Sequence, residues 1–267
     1  MKKIFLTLAC IGISAALISC GGGAKKEEVK QEATEAVDDG FVAIFDGKTF
    51  DGWRGYGKDT IPGKWTIEDG AIKFNGSGSG EAQDGQGGDI IFGTKYKNFE
   101  LELEWKVSKG GNSGIFYLAQ ELKRPDGQFE PIYLSAPEYQ VLDNENHPDA
   151  KLGAEPGIRK SASLYDMIPA EPQNANPYGE WNKAKIMVYK GTVIHGQNGV
   201  NVVEYHLWTQ AWIDMLQKSK FKEGNRDFPQ AFEYLKNCGG DNREGFIGLQ
   251  DHGDDVWFRN IRVKVLD

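Results

Sequence analysis

The stretch Phe246-Ile-Gly-Leu-Gln-Asp-His-Gly-Asp-Asp-Val-Trp-Phe-Arg-Asn-Ile-Arg-Val-Lys-Val265 predicts two β-strands separated by a polar segment. The second strand alternates apolar and charged residues, as a half-buried antiparallel strand does. Phe258 and Ile261 are three positions apart, which breaks the alternation once and predicts a bulge at Arg259-Asn260. The polar segment, residues 250–255, combines acids, an imidazole and an amide. Its simplest interpretation is a turn whose Asp side chains bind backbone N–H groups, and the alternative is a functional site.

Short apolar segments separated by Gly, Asp and Asn continue this pattern back to residue 41. The clearest is Phe99-Glu-Leu-Glu-Leu-Glu-Trp-Lys-Val107, which alternates over nine residues, and Asp69-Gly70 is a two-residue hairpin signal. Residues 164–168 are predicted as a further strand. Only residues 208–219 have helical spacing, with Trp208, Trp212, Met215 and Leu216 on one face. About a dozen strands and one short helix predict an all-β, two-sheet sandwich of the jelly-roll type.

The first 40 residues differ in composition from the rest. Lys2 and Lys3 precede an apolar run too short to span a bilayer comfortably, which is typical of a signal peptide over residues 1–19. The run ends Leu17-Ile-Ser-Cys20, which resembles a bacterial lipoprotein box and predicts lipidation of Cys20. Residues 20–40 are rich in glycine and charge and predict a flexible lipidated linker. The remaining residues, 41–267, form the predicted domain, anchored to the cell envelope, with the outer membrane favoured.

Charge and cysteine content restrict the partners and the sources of stability. Loss of Lys2 and Lys3 with the leader leaves 29 of the 31 basic residues against all 39 acidic ones, a formal charge of −10. This charge argues against nucleic acid as a partner. Once Cys20 carries lipid, Cys238 is the one remaining thiol, so no disulfide within the chain is expected and the core must supply the stability.

A set of short motifs runs in order through residues 41–267. They are Phe45-Asp-Gly-Lys48, Asp51-Gly-Trp53, Trp65, Glu68-Asp-Gly70, Phe99-Glu-Leu101, Glu104-Trp105, Gly111-Asn-Ser-Gly-Ile115, Glu138-Tyr-Gln-Val-Leu-Asp-Asn144, Ser163-Leu-Tyr-Asp166, Gly179-Glu-Trp-Asn182, Asn198-Gly199 and Gly248-Leu-Gln-Asp-His-Gly253. Together they resemble the family called domain of unknown function 1080, which is associated with 3-keto-disaccharide hydrolase, 3-keto-glucoside 1,2-lyase and 3-keto-2-hydroxy-glucal hydratase activities. The resemblance implies a concanavalin A-like lectin/glucanase sandwich. One departure is Gly196-Gln197, where an aromatic and an aliphatic residue are expected.

The implied substrate, a 3-keto-glycoside, determines which groups a site needs. Its C3 carbonyl acidifies the C2 proton, so a base can remove that proton and the C1 substituent then departs. The site therefore needs a base active near neutral pH, a group that holds the enolate oxygen and an acid. The candidate catalytic residues are His147, His252, Asp251, Asp143 and Glu138. The candidate substrate-binding residues are Asn112, Gln140, Gln250 and Trp53.

Within this set, His147 or His252 is expected to be the general base or acid. Asp143, Asp251 and Glu138 either orient it or hold a divalent cation that polarises the keto oxygen. The simpler interpretation of each histidine is a hydrogen-bonded surface imidazole. The other two histidines, His195 and His206, are expected to be structural, and Asp254 and Asp255 to be turn residues. If the sheets curve as in lectins, the concave face gathers the candidate residues.

Two other classes of protein remain open. A non-catalytic glycan-binding lipoprotein needs only the sandwich, the anchor and aromatic side chains such as Trp53, Tyr56 and Tyr178, and the third class is a structural surface protein. The acids and imidazoles favour the enzyme, because a lectin needs stacking and hydrogen bonds but no base.

Replacement of the lipidated cysteine tests the anchor. We expect Cys20→Ser to move the protein from the membrane fraction to the soluble fraction, because each buried CH₂ of a lipid chain contributes about 0.8 kcal/mol to anchoring. The melting temperature should be unchanged, since residues 21–40 offer little to bury. Fractionation and melting of Cys20→Ser beside Cys10→Ser check this, and a carbonate-resistant membrane fraction of Cys20→Ser would contradict it.

Overall fold

The computed structural model describes residues 39–76 and 86–267. The predicted signal peptide, Cys20 and nearly all of the linker lie outside these ranges. The described residues form thirteen strands: β1 (Val42–Ala43), β2 (Trp53–Gly55), β3 (Trp65–Glu68), β4 (Ala71–Phe74), β5 (Ile90–Phe92), β6 (Phe99–Val107), β7 (Asn112–Ala119), β8 (Glu138–Leu142), β9 (Asn182–Tyr189), β10 (Thr192–Gln197), β11 (Val200–His206), β12 (Phe246–Leu249) and β13 (Val256–Val265).

The strands form two antiparallel sheets, which confirms the predicted sandwich. The eight-stranded sheet has the order β11-β10-β9-β6-β13-β4-β3, with β1 also paired to β13, and the five-stranded sheet has the order β2-β5-β12-β7-β8. One apolar cluster contains residues of both sheets, including Leu103 and Phe258 from the larger and Ile115 and Val141 from the smaller. The two strands of the 246–265 stretch belong to different sheets, so residues 250–255 cross from one sheet to the other.

Several strand predictions are confirmed in detail. Every second residue of β6, from Phe99 to Val107, is buried. Strands β3 and β4 pair through the Asp69-Gly70 turn, where both residues have positive φ as a type I′ turn requires. The pairing of β13 with β6 shifts register between Arg259 and Arg262, and Asn260 has φ of 53°, so the predicted bulge is present.

Two predictions about local structure are wrong. Residues 164–168 form turns with isolated bridges and no strand, because Leu164 bonds back to Ile168 within its own loop. The helical segment is α1 (Gln210–Lys218), capped by the Thr209 hydroxyl, but a second helix, α2 (Ala231–Lys236), follows it. At six residues, α2 is too short for its spacing to stand out. Within the described ranges no helix is long and apolar enough to cross a bilayer.

A buried hydrogen-bond chain joins the two sheets through His195. The His195 ring contacts the Tyr117 hydroxyl of the smaller sheet (Nε2 to O, 2.7 Å), and that hydroxyl contacts the Tyr205 hydroxyl at 2.6 Å. The other ring nitrogen, Nδ1, lies 2.9 Å from the Ala162 carbonyl oxygen and donates to it, because a carbonyl can only accept. Burial lowers the pKa of His195 to about 4, so the ring is neutral in the folded protein. The expected structural role of His195 agrees with this placement.

The neutral His195 ring makes stability depend on pH. The pKa of His195 in the folded protein is below its ordinary value of 6.5. The contribution of the neutral ring to the free energy of unfolding is therefore complete above about pH 6.5 and is lost as the pH falls towards 4. The contribution lost is about 3 kcal/mol of unfolding free energy. Urea unfolding of the protein at pH 7 and pH 4.5 measures it.

The matched control uses the other strand histidine. His195→Gln should flatten this part of the pH dependence, whereas His206→Gln, at an exposed position on the neighbouring strand, should retain it. Equal slopes in His195→Gln and the unsubstituted protein would show that His195 does not titrate in this range.

Candidate functional site

Five of the nine candidate residues gather on the outward face of the five-stranded sheet: Asn112, Glu138, Gln140, Gln250 and His252. Along β8, Tyr139 and Val141 pack into the core between the sheets, so Glu138 and Gln140 point the other way. Asn112 of the neighbouring strand β7 lies on the same outward face. Glu138 lies close against β7 because Gly114 has no side chain, and a Cβ there would collide with the Glu138 carboxylate. The expected gathering of all the candidates is therefore present only in part, since His147, Asp143, Asp251 and Trp53 do not line the cavity on this face.

A cavity of about 170 Å³ opens on this face. Its lining residues are Asn112, Tyr133, Glu138, Gln140, Tyr165, Lys220, Phe228, Gln250 and His252. Pockets for drug-sized ligands are typically 300–1,000 Å³, so this volume suits a single sugar ring. A larger groove of about 750 Å³ lies on the eight-stranded sheet, where two of the lining carboxylates are already in ion pairs, Glu102 with Arg262 at 2.6 Å and Glu104 with Arg259 at 2.7 Å. We place the site at the smaller cavity, where unpaired polar atoms and a perturbed histidine meet.

Three buried amide oxygens in the cavity wall have no hydrogen-bond partner in the protein: Asn112 Oδ1, Gln140 Oε1 and Gln250 Oε1. Leaving such an acceptor unpaired costs about 1–3 kcal/mol. Gln250 is held in place by its own backbone, which donates to the Gly114 carbonyl at 3.0 Å and accepts from the Ser113 hydroxyl at 2.8 Å. Three fixed acceptors in one small cavity suit a ligand that carries several hydroxyl donors.

His252 belongs to a cluster with His147 and Asp254 at one side of the cavity. The ring centroids of the two histidines are 6.1 Å apart, and the possible ligand atoms of all three residues lie within 4.8 Å of one another. Burial and the neighbouring His147 lower the pKa of His252, although Asp254 acts in the opposite direction. Burial also raises the pKa of Asp254. His252 is therefore a neutral imidazole near pH 7, which is the form that can accept a proton.

Among the described residues, this cluster is the group whose ligand atoms lie close enough together to hold a metal ion. Two contacts oppose a cation here. His147 Nδ1 accepts from the Asp149 backbone N–H at 3.1 Å, so in the neutral ring Nε2 carries the proton. Asn112 Nδ2 contacts His252 Nε2 at 3.2 Å and, as a donor, occupies its lone pair. A cation would have to displace both of these hydrogen bonds. As folded, His147, His252 and Asp254 are therefore arranged as an acid–base cluster.

The alternative in which Asp143 and Asp251 hold a cation is wrong, because hydrogen bonds from backbone N–H groups occupy both carboxylates. Asp143 accepts from Gly110 N at 2.8 Å and from the loop that follows it, including Asn146 Nδ2 at 2.7 Å. Burial raises its pKa, but these hydrogen bonds together outweigh burial and lower it. Asp251 accepts from Gly88 N at 2.7 Å and Gly253 N at 2.9 Å. Neither lines the cavity, so the proposed metal set of Asp143, Asp251 and Glu138 does not form.

Two further predictions need correction. Trp53 was expected to bind sugar, but its indole is 6% exposed, donates to the Ile44 carbonyl at 2.7 Å and packs against Phe92. A ring within the core has no face open to a sugar. Asp254 was expected to be a turn residue, yet it lies in the histidine cluster and also accepts from Asn112 N at 3.2 Å. Asp255 does bind a backbone N–H, that of Gly76, at 2.7 Å.

Three cavity residues were not predicted from the sequence: Tyr133, Lys220 and Phe228. They come from loops and a 3₁₀ turn that fold over the sheet, where no periodic pattern marks them. The sequence did point to Tyr165, because this residue belongs to the Ser163-Leu-Tyr-Asp166 motif. Its hydroxyl donates to Asp149 Oδ2 at 2.9 Å, and Arg159 ties Asp149 to Asp166 with contacts of 2.8 and 2.5 Å.

The fold and the polar cavity together are those of a carbohydrate-active β-sandwich protein. The family model described as "3-keto-alpha-glucoside-1,2-lyase-like domain" matches residues 40–264, and the chain belongs to this family. A protein of Bacteroides thetaiotaomicron named "3-keto-disaccharide hydrolase" is 66% identical to it over 293 aligned positions, covering 100% of both chains.

Solved structures agree with this assignment. The structure of a putative glycosyl hydrolase from Parabacteroides distasonis has a TM-score of 0.66 and 28% identity, covering 85% of this chain and 94% of that one. A second putative glycosyl hydrolase from the same organism has a TM-score of 0.55 at 22% identity, covering 80% of this chain and 99% of that one, which shows the fold alone. The predicted family and sandwich are confirmed.

The backbone role of Asp251 predicts a stability defect. In Asp251→Asn the amide has one acceptor oxygen, so one of the two backbone N–H groups of Gly88 and Gly253 loses its partner. We expect the free energy of unfolding to fall by about 1–3 kcal/mol. Urea unfolding measures the change. The control Asp241→Asn, at an exposed position, should leave the free energy of unfolding unchanged. An Asp251→Asn protein as stable as the parent but inactive would return Asp251 to the catalytic set.

Proposed function

We propose that this protein cleaves 3-keto-glycosides by removing the C2 proton and expelling the substituent at C1, followed by addition of water. The proposal is supported by family membership, by the name of the Bacteroides thetaiotaomicron relative and by the chemistry of the cavity. Removal of a C2 proton needs a base, and direct displacement at C1 would instead require a pair of carboxylates flanking the bond. Among the described cavity-lining residues there is one carboxylate, Glu138.

His252 is the observation that carries the proposal. It lines the cavity as a half-buried imidazole whose pKa is lowered by burial and by His147, so it is unprotonated near pH 7. The three unpaired amide oxygens stand on the same wall and would accept hydrogen bonds from the sugar hydroxyls. The basic nitrogen is the one that accepts from Asn112 Nδ2, so the substrate must replace this amide contact.

The proposed reaction has two balanced steps. In the first, His252 takes the C2 proton, the C2–H electron pair forms an enolate with the C3 carbonyl, and the C1–O bond breaks as the enolate collapses. The leaving oxygen takes up a proton, and the imidazolium beside Asp254 can supply it. In the second step water adds across the C1–C2 double bond, its hydroxyl to C1 and its proton to C2. The sum is hydrolysis of the 3-keto-glycoside, which accounts for both "lyase" and "hydrolase" in the family's names.

The cellular setting follows from the sequence. A signal peptide and lipidated Cys20 would hold the domain at the cell envelope, where carbohydrate is its partner and the membrane is contacted through the lipid alone.

Isotope uptake from solvent tests the reaction directly. We expect the protein to consume a 3-keto-disaccharide in D₂O, to leave the unoxidised parent disaccharide untouched, and to give a product with deuterium at C2. NMR against an enzyme-free sample measures all three. Cleavage in which C2 keeps its original hydrogen would show direct hydrolysis instead of elimination. Binding of both sugars without turnover would show a glycan-binding protein instead of an enzyme.

The same assay tests His252 as the base. His252→Gln should lower turnover by about 10²- to 10⁴-fold, the range typical of a lost general base. His206→Gln, which changes an exposed histidine, should keep full activity. An active His252→Gln would exclude His252 as the base.

A further inference from the structure

Lys220 follows α1 and places its ammonium in the cavity wall. Its Nζ lies 4.4 Å from the centroid of the Tyr165 ring and 5.2 Å from that of Phe228, and both rings also line the cavity. The side chain is half-buried. Among the described residues that line the cavity, Lys220 is the one that carries a positive charge near pH 7, since His252 is neutral there. The proposed reaction has so far given this cation no role.

A structural role explains Lys220 only in part. Asp149 and Asp166 lie behind Tyr165, but Arg159 already pairs with both carboxylates. Asp166 Oδ2 is bonded by the Lys220 backbone N–H at 2.7 Å, not by its ammonium. The ammonium contacts the Tyr165 hydroxyl at 3.3 Å, and since that hydroxyl donates its proton to Asp149, it accepts from Lys220. An ammonium has three donors, so others can point into the cavity.

One atom of the proposed substrate calls for a positively charged donor, and Lys220 is the one described cavity residue that offers it. The amide oxygens of Asn112, Gln140 and Gln250 and the carboxylate of Glu138 accept hydrogen bonds, which suits sugar hydroxyls. A C3 ketone oxygen can only accept, and it becomes negative when the C2 proton leaves. A fixed donor with positive charge stabilises that developing charge more than it stabilises the ketone, and this difference accelerates the reaction.

We propose that the Lys220 ammonium binds the C3 oxygen of the substrate and stabilises the enolate, and so selects a 3-keto sugar over its 3-hydroxy parent. The inference rests on the proposed function and adds the group that recognises the ketone. It also orients the sugar, because the C3 oxygen must lie towards Lys220 while C2 lies towards His252.

The charged groups around Lys220 predict how this role depends on pH. Burial lowers the pKa of Lys220, Glu138 raises it, Arg159 lowers it, and Asp166 and Asp149 raise it, with a net lowering. The ammonium is therefore lost at a lower pH than in an exposed lysine. Activity should decline on the alkaline side as the charge on Lys220 is lost.

Lys220→Met tests the charge, because methionine keeps the apolar stem against the aromatic rings. With a 3-keto-disaccharide we expect kcat/KM to fall about 10²- to 10³-fold, mainly through kcat, as for a lost oxyanion donor. Exchange of the C2 hydrogen with D₂O should fall in parallel, and the alkaline decline attributed to Lys220 should disappear. Lys222→Met, at an exposed position in the same loop, should match the unsubstituted protein in all three measurements.

Chemical rescue separates loss of charge from loss of fold. Lys220→Cys alkylated with 2-bromoethylamine regains an ammonium at nearly the same position, and it should recover at least a tenth of the original kcat/KM. Activity of Lys220→Met within threefold of the parent, or a folded, fully alkylated protein that stays as inactive as Lys220→Met, would overturn the inference. If the unsubstituted protein itself does not consume the 3-keto sugar, the proposed function fails first.

Discussion

The site depends on how Asp251 holds the chain as it crosses between the two sheets. Its carboxylate accepts from Gly88 N and Gly253 N, and its own N–H donates to Asp89 Oδ1 at 2.9 Å. These bonds fasten residue 251 to the side away from the cavity. The strand-like alternation of β12 therefore continues into the crossing, and Gln250 and His252 point into the cavity on either side of it. Asp251 thus positions its two neighbours that line the cavity.

The cavity and the His195 hydrogen-bond chain differ in how their buried polar groups are paired. In the core, every polar atom of the chain from Tyr205 through Tyr117 and His195 to Ala162 has a partner, so the neutral histidine joins the sheets at little cost. In the cavity, three amide oxygens have none, and burial raises the pKa of Asp254. Such unfavourable groups persist when the surrounding structure holds them in place, and they gain their partners when a ligand binds.

Much of the fold could be predicted from the sequence because alternation is a local property. The nine residues of β6, the Asp69-Gly70 turn and the bulge at Asn260 each carry their signal within a few positions. The outward placement of Glu138 and Gln140 follows from the same rule. Residues 164–168 were misassigned because an apolar run does not reveal whether a partner strand is available.

The site could be predicted only in outline, since a carboxylate looks the same in sequence whether it binds a turn or a substrate. Asp251 and Asp254 stand three positions apart with similar neighbours, yet the first binds backbone N–H groups and the second lies against His147 and His252. Lys220 could not be found at all, because its place depends on how the loop after α1 folds over another part of the chain.

The source of each cavity residue suggests how specificity is divided in the proposed reaction. Asn112, Glu138 and Gln140 belong to paired strands, so their positions are fixed by the sheet. Tyr165, Lys220 and Phe228 belong to loops, which vary more readily than strands. A cavity of about 170 Å³ has room for one sugar ring, so the leaving group must lie outside it. The sheet would then recognise the hydroxyls of the oxidised ring, while the loop after α1 would supply the charge that recognises its ketone.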